Sequence, residues 1–203
     1  MSLYDMLKQR RMVRHYTGER IPRGVLERIV ATVRRAPSAG FSQGQRLLVV
    51  DDPSLLAKLA EEDEREGVEP WFATAAAHVL VLTREQDYHD RYTQQDKLAD
   101  TGGTELEWPV PFWYVDAGAA LMLVLLAAIE EGLAAGVYGI QVDDQPRVRE
   151  LLRIPDELAI VGGITLGYDA PDPEWSKATS RATQRRRALD ELVHWNTWGD
   201  TPR

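Results

Sequence analysis

Read for hydrophobic and polar positions, the chain is dominated by one stretch, residues 115–134, VDAGAALMLVLLAAIEEGLA. Between Asp116 and Glu130 it carries no charge and almost no polarity. Ala, Leu and Met fill it, all strong helix formers. Asp116 stands near the start, where a helix favours negative charge, and Gly132 and Gly136 bracket the end, where helices commonly stop. A helix apolar on every side must be buried on every side. One subunit of 203 residues can hardly wrap it completely, so the pattern predicts a core helix with one face given to a partner subunit. Gly118, Ala119, Ala120, Ala127 and Ala128 would allow close helix approach. The open alternative is an ordinary internal core helix of a monomer.

The remaining elements follow from shorter patterns. Leu3, Met6 and Leu7 share one face of a helix over 3–11. Leu26, Ile29, Val30 and Val33 keep the i, i+3, i+4, i+7 spacing of a half-buried helix over 24–35. Residues 36–44, APSAGFSQG, form a small-residue loop whose backbone can approach a ligand closely. A strand is predicted at 47–50. Asp52 and Pro53 then read as the N-cap and first position of a helix ending near Gly67. HVLVLT, 78–83, is a second buried strand. Strands at 137–142 and 158–166 flank a helix over 144–153 that Pro155 stops. Gly162 and Gly163 in the last strand permit a bulge or close backbone contact. Residues 84–112 break the rhythm: polar first, then rich in Gly, Pro and aromatics. A long irregular segment in a compact domain is usually functional or mobile. It reads as an excursion over 84–114 covering a pocket, or as a surface loop packed by its own aromatics. The organisation is one domain over 1–203, closed by a polar tail from Ala170. Trp195 and Trp198 in that tail are costly to leave in water, so it docks on its own subunit or a neighbour.

Composition narrows the function. The chain has no cysteine, which excludes disulfides, thiolate catalysis and Cys–metal sites. A net charge of −8 argues against nonspecific nucleic-acid binding, which rests on positive charge. The apolar run 117–129 is too short for a bilayer, which needs roughly 20 residues, and the N-terminus lacks a secretory apolar region; a cytoplasmic protein is expected. His15, His78, His89 and His194 have no metal-ligand spacing, and His78, inside an apolar strand, reads as a satisfied core residue. No nucleophile elbow, P-loop or dinucleotide Gly fingerprint is present. Arginines cluster at 10–14, 34–35 and 185–187. Their planar forks suit a phosphate ester, although a cluster taken alone is more simply a solvated basic face.

Five motifs in order resemble the nitroreductase family of flavin enzymes over nearly the whole chain. RRMVRHY (10–16) is similar to its N-terminal Arg-Arg-Ser-x-Arg motif. APSAGFSQG (36–44) is similar to its flavin loop, and 116–133 to its long central dimer helix. LLRIPDEL…VGGITLGY (151–168) resembles its Leu-x-Ile-Pro…Leu-Gly-Tyr segment. RRRALDELVHWNTW (185–198) resembles its basic tail before Val-His-Trp-Asn. The resemblance implies an α+β fold around a mixed, mainly antiparallel sheet flanked by helices, and an obligate homodimer with two FMN molecules at the subunit interface.

Carried over by residue, the resemblance puts Arg10, Arg11 and Arg14 on the FMN phosphate and ribityl chain, with Arg185 or Arg186 reaching the same phosphate from the tail. Pro37 and Ser38 would pack near the isoalloxazine from the other subunit. Ser42 and Gln43 would contact its polar edge or ribityl hydroxyls. Met12 and Ala39 belong to the same two motifs, and Tyr138 and Gly139 to the stretch whose backbone faces the ring. The implied mechanism is ping-pong: NAD(P)H gives hydride to the flavin and leaves, and an electron-poor acceptor takes its place. The cofactor carries the chemistry and the protein supplies orientation and a dry slot, so no catalytic side chain is assigned and no metal is called for.

Three departures from the pattern bear on the site. Met12 replaces the usual Ser, Phe41 stands where many members have Asn, and Gly44-Gln45 replaces the common Pro-Trp. The expected activity is reduction of nitroaromatics or quinones. The alternatives are a flavin oxidase or dehydrogenase for a dedicated metabolite, and a non-catalytic flavin-binding dimer.

Overall fold

The computed structural model describes residues 2–61, 71–171 and 186–199. The chain forms two compact units, Met1–Ala170 and Pro171–Arg203. The first is built on a four-stranded sheet: β1 (Gln45–Val50), β2 (Ala77–Thr83), β3 (Ala134–Tyr138) and β4 (Ala159–Gly167), in the order β1-β2-β4-β3. All three pairings are antiparallel. The helices are α1 (Leu3–Gln9), α2 (Arg23–Ala31), α3 (Pro53–Glu61), α4 (Trp71–Thr74), α5 (Gln86–Tyr92), α6 (Gln95–Asp100), α7 (Phe112–Glu130) and α8 (Gln145–Leu152), with 3-10 turns at Thr32–Arg35 and Ala39–Phe41. The second unit is described from Arg186 to Gly199 and holds α9 (Leu189–Leu192).

Strand β2 explains the unbroken apolar reading of HVLVLT. Successive side chains of a strand point to opposite faces, and both faces of β2 are covered. Val79 and Val81 meet α7 and α2 through Ala117, Val124, Ala128, Leu26 and Ile29. Leu80 and Leu82 meet Leu59 of α3, Val148 of α8 and Ile154. Every residue of β2 is buried. Full burial of each such aliphatic side chain contributes about 1.5–3 kcal/mol. The register between β2 and β4 slips at Val81/Leu82, where Gly162 and Ile160 are the partners and Val161 is extra; this is the bulge anticipated at the glycine pair.

The central helix begins earlier than its apolar run suggests. The aromatic residues Phe112, Trp113 and Tyr114 form its first turn, so Asp116 lies in the second turn and is buried. It does not serve the helix dipole. The C-terminus is as expected: Gly132 has φ +75 and donates to the Ile129 carbonyl, while Leu133 donates to Ala128, a Schellman ending. Gly136 plays no part in that ending and lies in β3. A Cβ there would stand 2.3 Å from the Val13 carbonyl oxygen, so a hydrogen is needed where the N-terminal segment crosses the edge strand. At 19 residues α7 is long and apolar enough to cross a bilayer by length and composition, but eight of its residues are buried within the fold.

The small residues of α7 divide otherwise than predicted. Ala117, Ala120, Ala127 and Ala128 are buried in their own chain, letting the helix lie close on the sheet. Val115, Gly118, Ala119, Met122, Leu126 and Ile129 make the outward stripe, exposed or half-exposed.

Several boundaries move. Strand β3 starts two residues after Gly132 and ends at Tyr138, so 139–142 are not strand. Asp52 caps α3 as expected, its Oδ1 accepting from the amides of Ser54 and Leu55 at 2.9 and 3.0 Å; the predicted end near Gly67 lies outside the described residues. Residues 84–100, expected to be irregular, form α5 and α6. These helices are short and polar because solvent surrounds most of their surface, and only Tyr88 of α5 is buried.

Candidate functional site

Two groups of the anticipated residues occupy opposite ends of α7. At the C-terminal end, residues 10–17 run beside β3 and the end of β4. Val13 donates to the Ala135 carbonyl at 2.9 Å and Thr17 to Tyr168 at 3.0 Å. Tyr16 pins this segment: its buried hydroxyl donates to the Val13 carbonyl at 2.8 Å and lies 2.7 Å from Thr165 Oγ1. Burial pushes the Tyr16 phenol well above its usual range, so it stays neutral.

The segment delivers Arg10 and Arg11 to a pocket of about 210 Å3, lined also by Leu125, Ile129, Leu133 and Asp169. Arg11 is ion-paired to Asp169. Among the described residues the Arg10 guanidinium has no carboxylate partner. A pocket with two guanidiniums and one engaged carboxylate suits an anion, and Arg recognises phosphate through paired donors. Arg14 is half-buried, and its charge acts on the Tyr16 hydroxyl. Met12 turns to the sheet edge, with Sδ 3.4 Å from the Val137 amide.

At the N-terminal end of α7 stands the loop 36–44. It is held by its own hydrogen bonds: Phe41 donates to the Ser38 carbonyl, Ser42 to Ala39, and the Gln43 amide to Ser38 Oγ at 2.9 Å. The Ser42 hydroxyl donates to the Ala39 carbonyl at 2.7 Å, which leaves its lone pairs, and not its proton, for a ligand. Phe41 and Gln43 are left-handed, with φ of 62 and 53, a conformation that costs roughly 1–2 kcal/mol for a residue with a Cβ. Phe41 is 74% exposed at the tip, and Pro37 and the Gln43 side chain also face outward.

Sequence reasoning missed what supports this loop. The Ala39 amide donates to Asp116 Oδ2 at 2.8 Å, and the Tyr88 hydroxyl donates to the same oxygen at 2.8 Å. The signal was available as a lone carboxylate inside an apolar helix, because a buried charge requires partners. Tyr88 belongs to an aromatic cluster with Trp108 and Trp113, ring centroids 6.0 Å apart in each case. Tyr92 packs on Trp108 at 4.6 Å. His89 and the Trp108 indole converge on Glu105 Oε1, at 2.5 and 2.9 Å. The hydrogen bond to Glu105 raises the His89 pKa.

The Tyr138 side chain is spent on the core. Its hydroxyl lies 2.9 Å from His78 Nδ1, and its ring is 4.4 Å from that of Phe72. Only the backbone of Tyr138 and Gly139 is left for a ligand. Burial pushes His78 down to about 4, so it is neutral at pH 7. Its Nε2 faces the Phe72 carbonyl at 3.4 Å and carries the proton, while Nδ1 accepts from Tyr138. His78 is therefore a satisfied core residue, as anticipated. Arg186 is exposed within the second unit, and Arg185 lies outside the described residues. Among the described residues no cluster of His, Asp or Glu could hold a metal ion.

Comparison with known proteins agrees with this arrangement of motifs. The Nitroreductase family model matches residues 7–168, and the chain belongs to that family. It is similar to a 4-nitrobenzoate reductase of Nocardioides sp., 27% identical over 87% of this chain and 84% of the relative. It is also similar to an FMN reductase [NAD(P)H] of Bacillus subtilis, 28% identical over 81% of this chain and 64% of the relative. Among solved structures, an FMN-dependent nitroreductase from Clostridium difficile superposes with a TM-score of 0.69 at 20% identity, covering 97% of this chain and all of that one; at that identity the likeness speaks for the fold. The protein is thus an α+β oxidoreductase of the nitroreductase family.

Proposed function

We propose that the protein is a cytoplasmic, homodimeric FMN-dependent enzyme. It oxidises NAD(P)H and reduces nitroaromatic or quinone-type acceptors. The observation that carries this reading is the separation of the two half-sites. Ala39 is tied to Asp116, whereas Arg10 and Arg11 share their pocket with Leu125 and Ile129. Thirteen residues of helix at 1.5 Å each set these ends roughly 20 Å apart. Neither end alone is a cofactor site. Two copies related by a two-fold axis, with their α7 helices antiparallel, bring the arginine end of one beside the loop of the other. The outward stripe from Val115 to Ile129 supports this pairing, since it is the apolar face such a partner would cover.

When bound, FMN supplies hydride transfer between nicotinamide and acceptor. Arg10 and Arg14 hold its phosphate, and Arg11, already paired with Asp169, adds charge at the rim. Pro37, Ser38 and Ala39 of the other subunit pack near the ring, and Ser42 and Gln43 accept from or donate to its polar edge. The backbone at Tyr138 and Gly139 faces it. The outer part of residues 84–114, with exposed Leu106, Val110 and Tyr114, sets the size of acceptor admitted.

The test is an absorption spectrum of the purified protein followed by anaerobic NADH or NADPH. Flavin bands that bleach with a nucleotide and return with a nitroaromatic or quinone are expected, from a protein of twice the chain mass by light scattering. Bands that do not bleach would point instead to a dedicated oxidase or a flavin-binding protein. No flavin binding after FMN is supplied would refute the reading.

A further inference from the structure

We propose that Asp116 is a positioning residue for the flavin site: through the Ala39 amide and the Tyr88 hydroxyl it makes helix α5 part of the scaffold that shapes loop 38–43. This rests on the flavin reading above. The backbone amides of Phe41, Ser42 and Gln43 all donate within the loop, whereas the Ala39 amide is bound outside it, to a buried carboxylate. The same Asp116 oxygen takes the Tyr88 hydroxyl, so one atom joins α7, the loop and α5.

Three further contacts run between loop and α5. Arg91 Nε donates to the Gly40 carbonyl at 2.8 Å, while its two terminal nitrogens grip Asp96 at 2.8 and 2.7 Å. The Tyr88 ring lies so close to Gly44 that a Cβ there would stand 2.3 Å from it, and Tyr92 closes on Gly40 in the same way, at 2.6 Å. The loop holds two non-glycine residues in left-handed conformations, so it needs external bonds to persist in that shape. They come from Asp116 of α7, from Arg46 of β1 and from α5, in the segment that reads, by position, as a lid. Its inner surface therefore supports the flavin loop, and a change in its packing reaches the flavin through Asp116 without touching it.

The experiment compares wild type with Asp116→Asn, Asp116→Ala and Tyr88→Phe as FMN-loaded proteins, reading FMN affinity, flavin midpoint potential and the visible circular dichroism of bound flavin. Asn keeps an oxygen that can accept both bonds, so Asp116→Asn should retain affinity within about threefold. Asp116→Ala should weaken FMN binding at least tenfold and change the dichroism. Tyr88→Phe should change the dichroism in the same sense by a smaller amount, and should add little to Asp116→Ala, because both act through one oxygen. A purely structural role would lower the melting temperature while leaving affinity, potential and dichroism of the folded protein unchanged, and that result overturns the proposal.

If Asp116→Ala does not fold, Tyr88→Phe, which removes only a hydroxyl, still decides: flavin dichroism and affinity equal to wild type overturn the proposal. Wild type that binds no FMN refutes the flavin reading instead. In that case amide exchange across residues 38–43 of the flavin-free protein tests the scaffold directly: faster exchange in Tyr88→Phe supports it, and unchanged protection overturns it.

Discussion

The two ends of α7 differ in how far their polar groups are satisfied. At the loop end the donors and acceptors are largely consumed: Asp116 by Ala39 and Tyr88, Gly40 by Arg91, Ser38 by Gln43. Aromatic rings fill the space behind them. At the arginine end Arg10, whose guanidinium has no carboxylate partner among the described residues, lines an open pocket beside apolar side chains of α7. The first end keeps its shape through bonds of its own, and the second leaves charge at an open pocket. A buried polar group left unpaired costs more than a paired one gains, which is why the loop end is bonded so fully, whereas the half-exposed Arg10 can be solvated in the pocket or, on the reading proposed above, meet an anion there.

Four substitutions or conditions sharpen that contrast, the largest effect first. Gly136→Val should be the most damaging, because its side chain would drive into the Val13 carbonyl. Overpacking of this kind costs about 1–3 kcal/mol, and here it also displaces the segment carrying Arg10 and Arg14. Chemical denaturation should show the loss of stability, and the flavin bands should disappear with it.

The second concerns pH, and involves neither end directly. The folded pKa of His78, about 4, lies below an unfolded value near 6.5. The unfolded chain thus binds more protons between those values, and stability falls as pH drops through that window. The full difference is worth about 3 kcal/mol. A His78→Gln variant should show a flatter dependence between pH 6.5 and 4 in denaturant melts, and an unchanged slope would mean that another group is responsible.

Third, Arg10→Ala should weaken FMN binding by roughly 1.5–3 kcal/mol, the range for a hydrogen bond to a charged group, with little effect on melting, because no protein partner is lost. Arg14→Ala should weaken FMN in the same range. Fourth, Arg11→Ala should change FMN affinity least of the three, since Arg11 already spends its charge on Asp169. Fluorescence titration of FMN gives all three values, and equal losses at Arg10 and Arg11 would contradict the division of roles between them.

Much of this was readable from residues alone. The apolar run of α7, the unbroken hydrophobicity of β2, the Asp52–Pro53 start of α3 and the Gly132 stop each follow from local chemistry, since period, cap and left-handed glycine act within a few residues. The order of the motifs sufficed for the family, and the arginines at 10–14 for a phosphate candidate. Other features needed the folded chain. Phe112–Tyr114 read as loop because aromatics have no helical signature when their partners, Tyr88 and Trp108, are distant in sequence. Helices α5 and α6 were hidden because their surface is polar nearly all round. Asp116 looked like a charge for the helix dipole until the fold placed an amide and a phenol on one of its oxygens. Gly136 looked like a helix stop until Val13 crossed over it.

The sequence by itself therefore determined which residues carry charge, which segments are apolar and which family they compose, because these depend on side-chain chemistry and spacing along the chain. Only the tertiary structure decided that the arginines and the loop lie at opposite ends of one helix and that the segment 84–114 braces the loop. It also showed that Ala117, Ala120, Ala127 and Ala128 of α7 are buried in their own chain, while Gly118 and Ala119 face outward. Those are relations between positions far apart in the chain, and packing of the core, not local preference, establishes them.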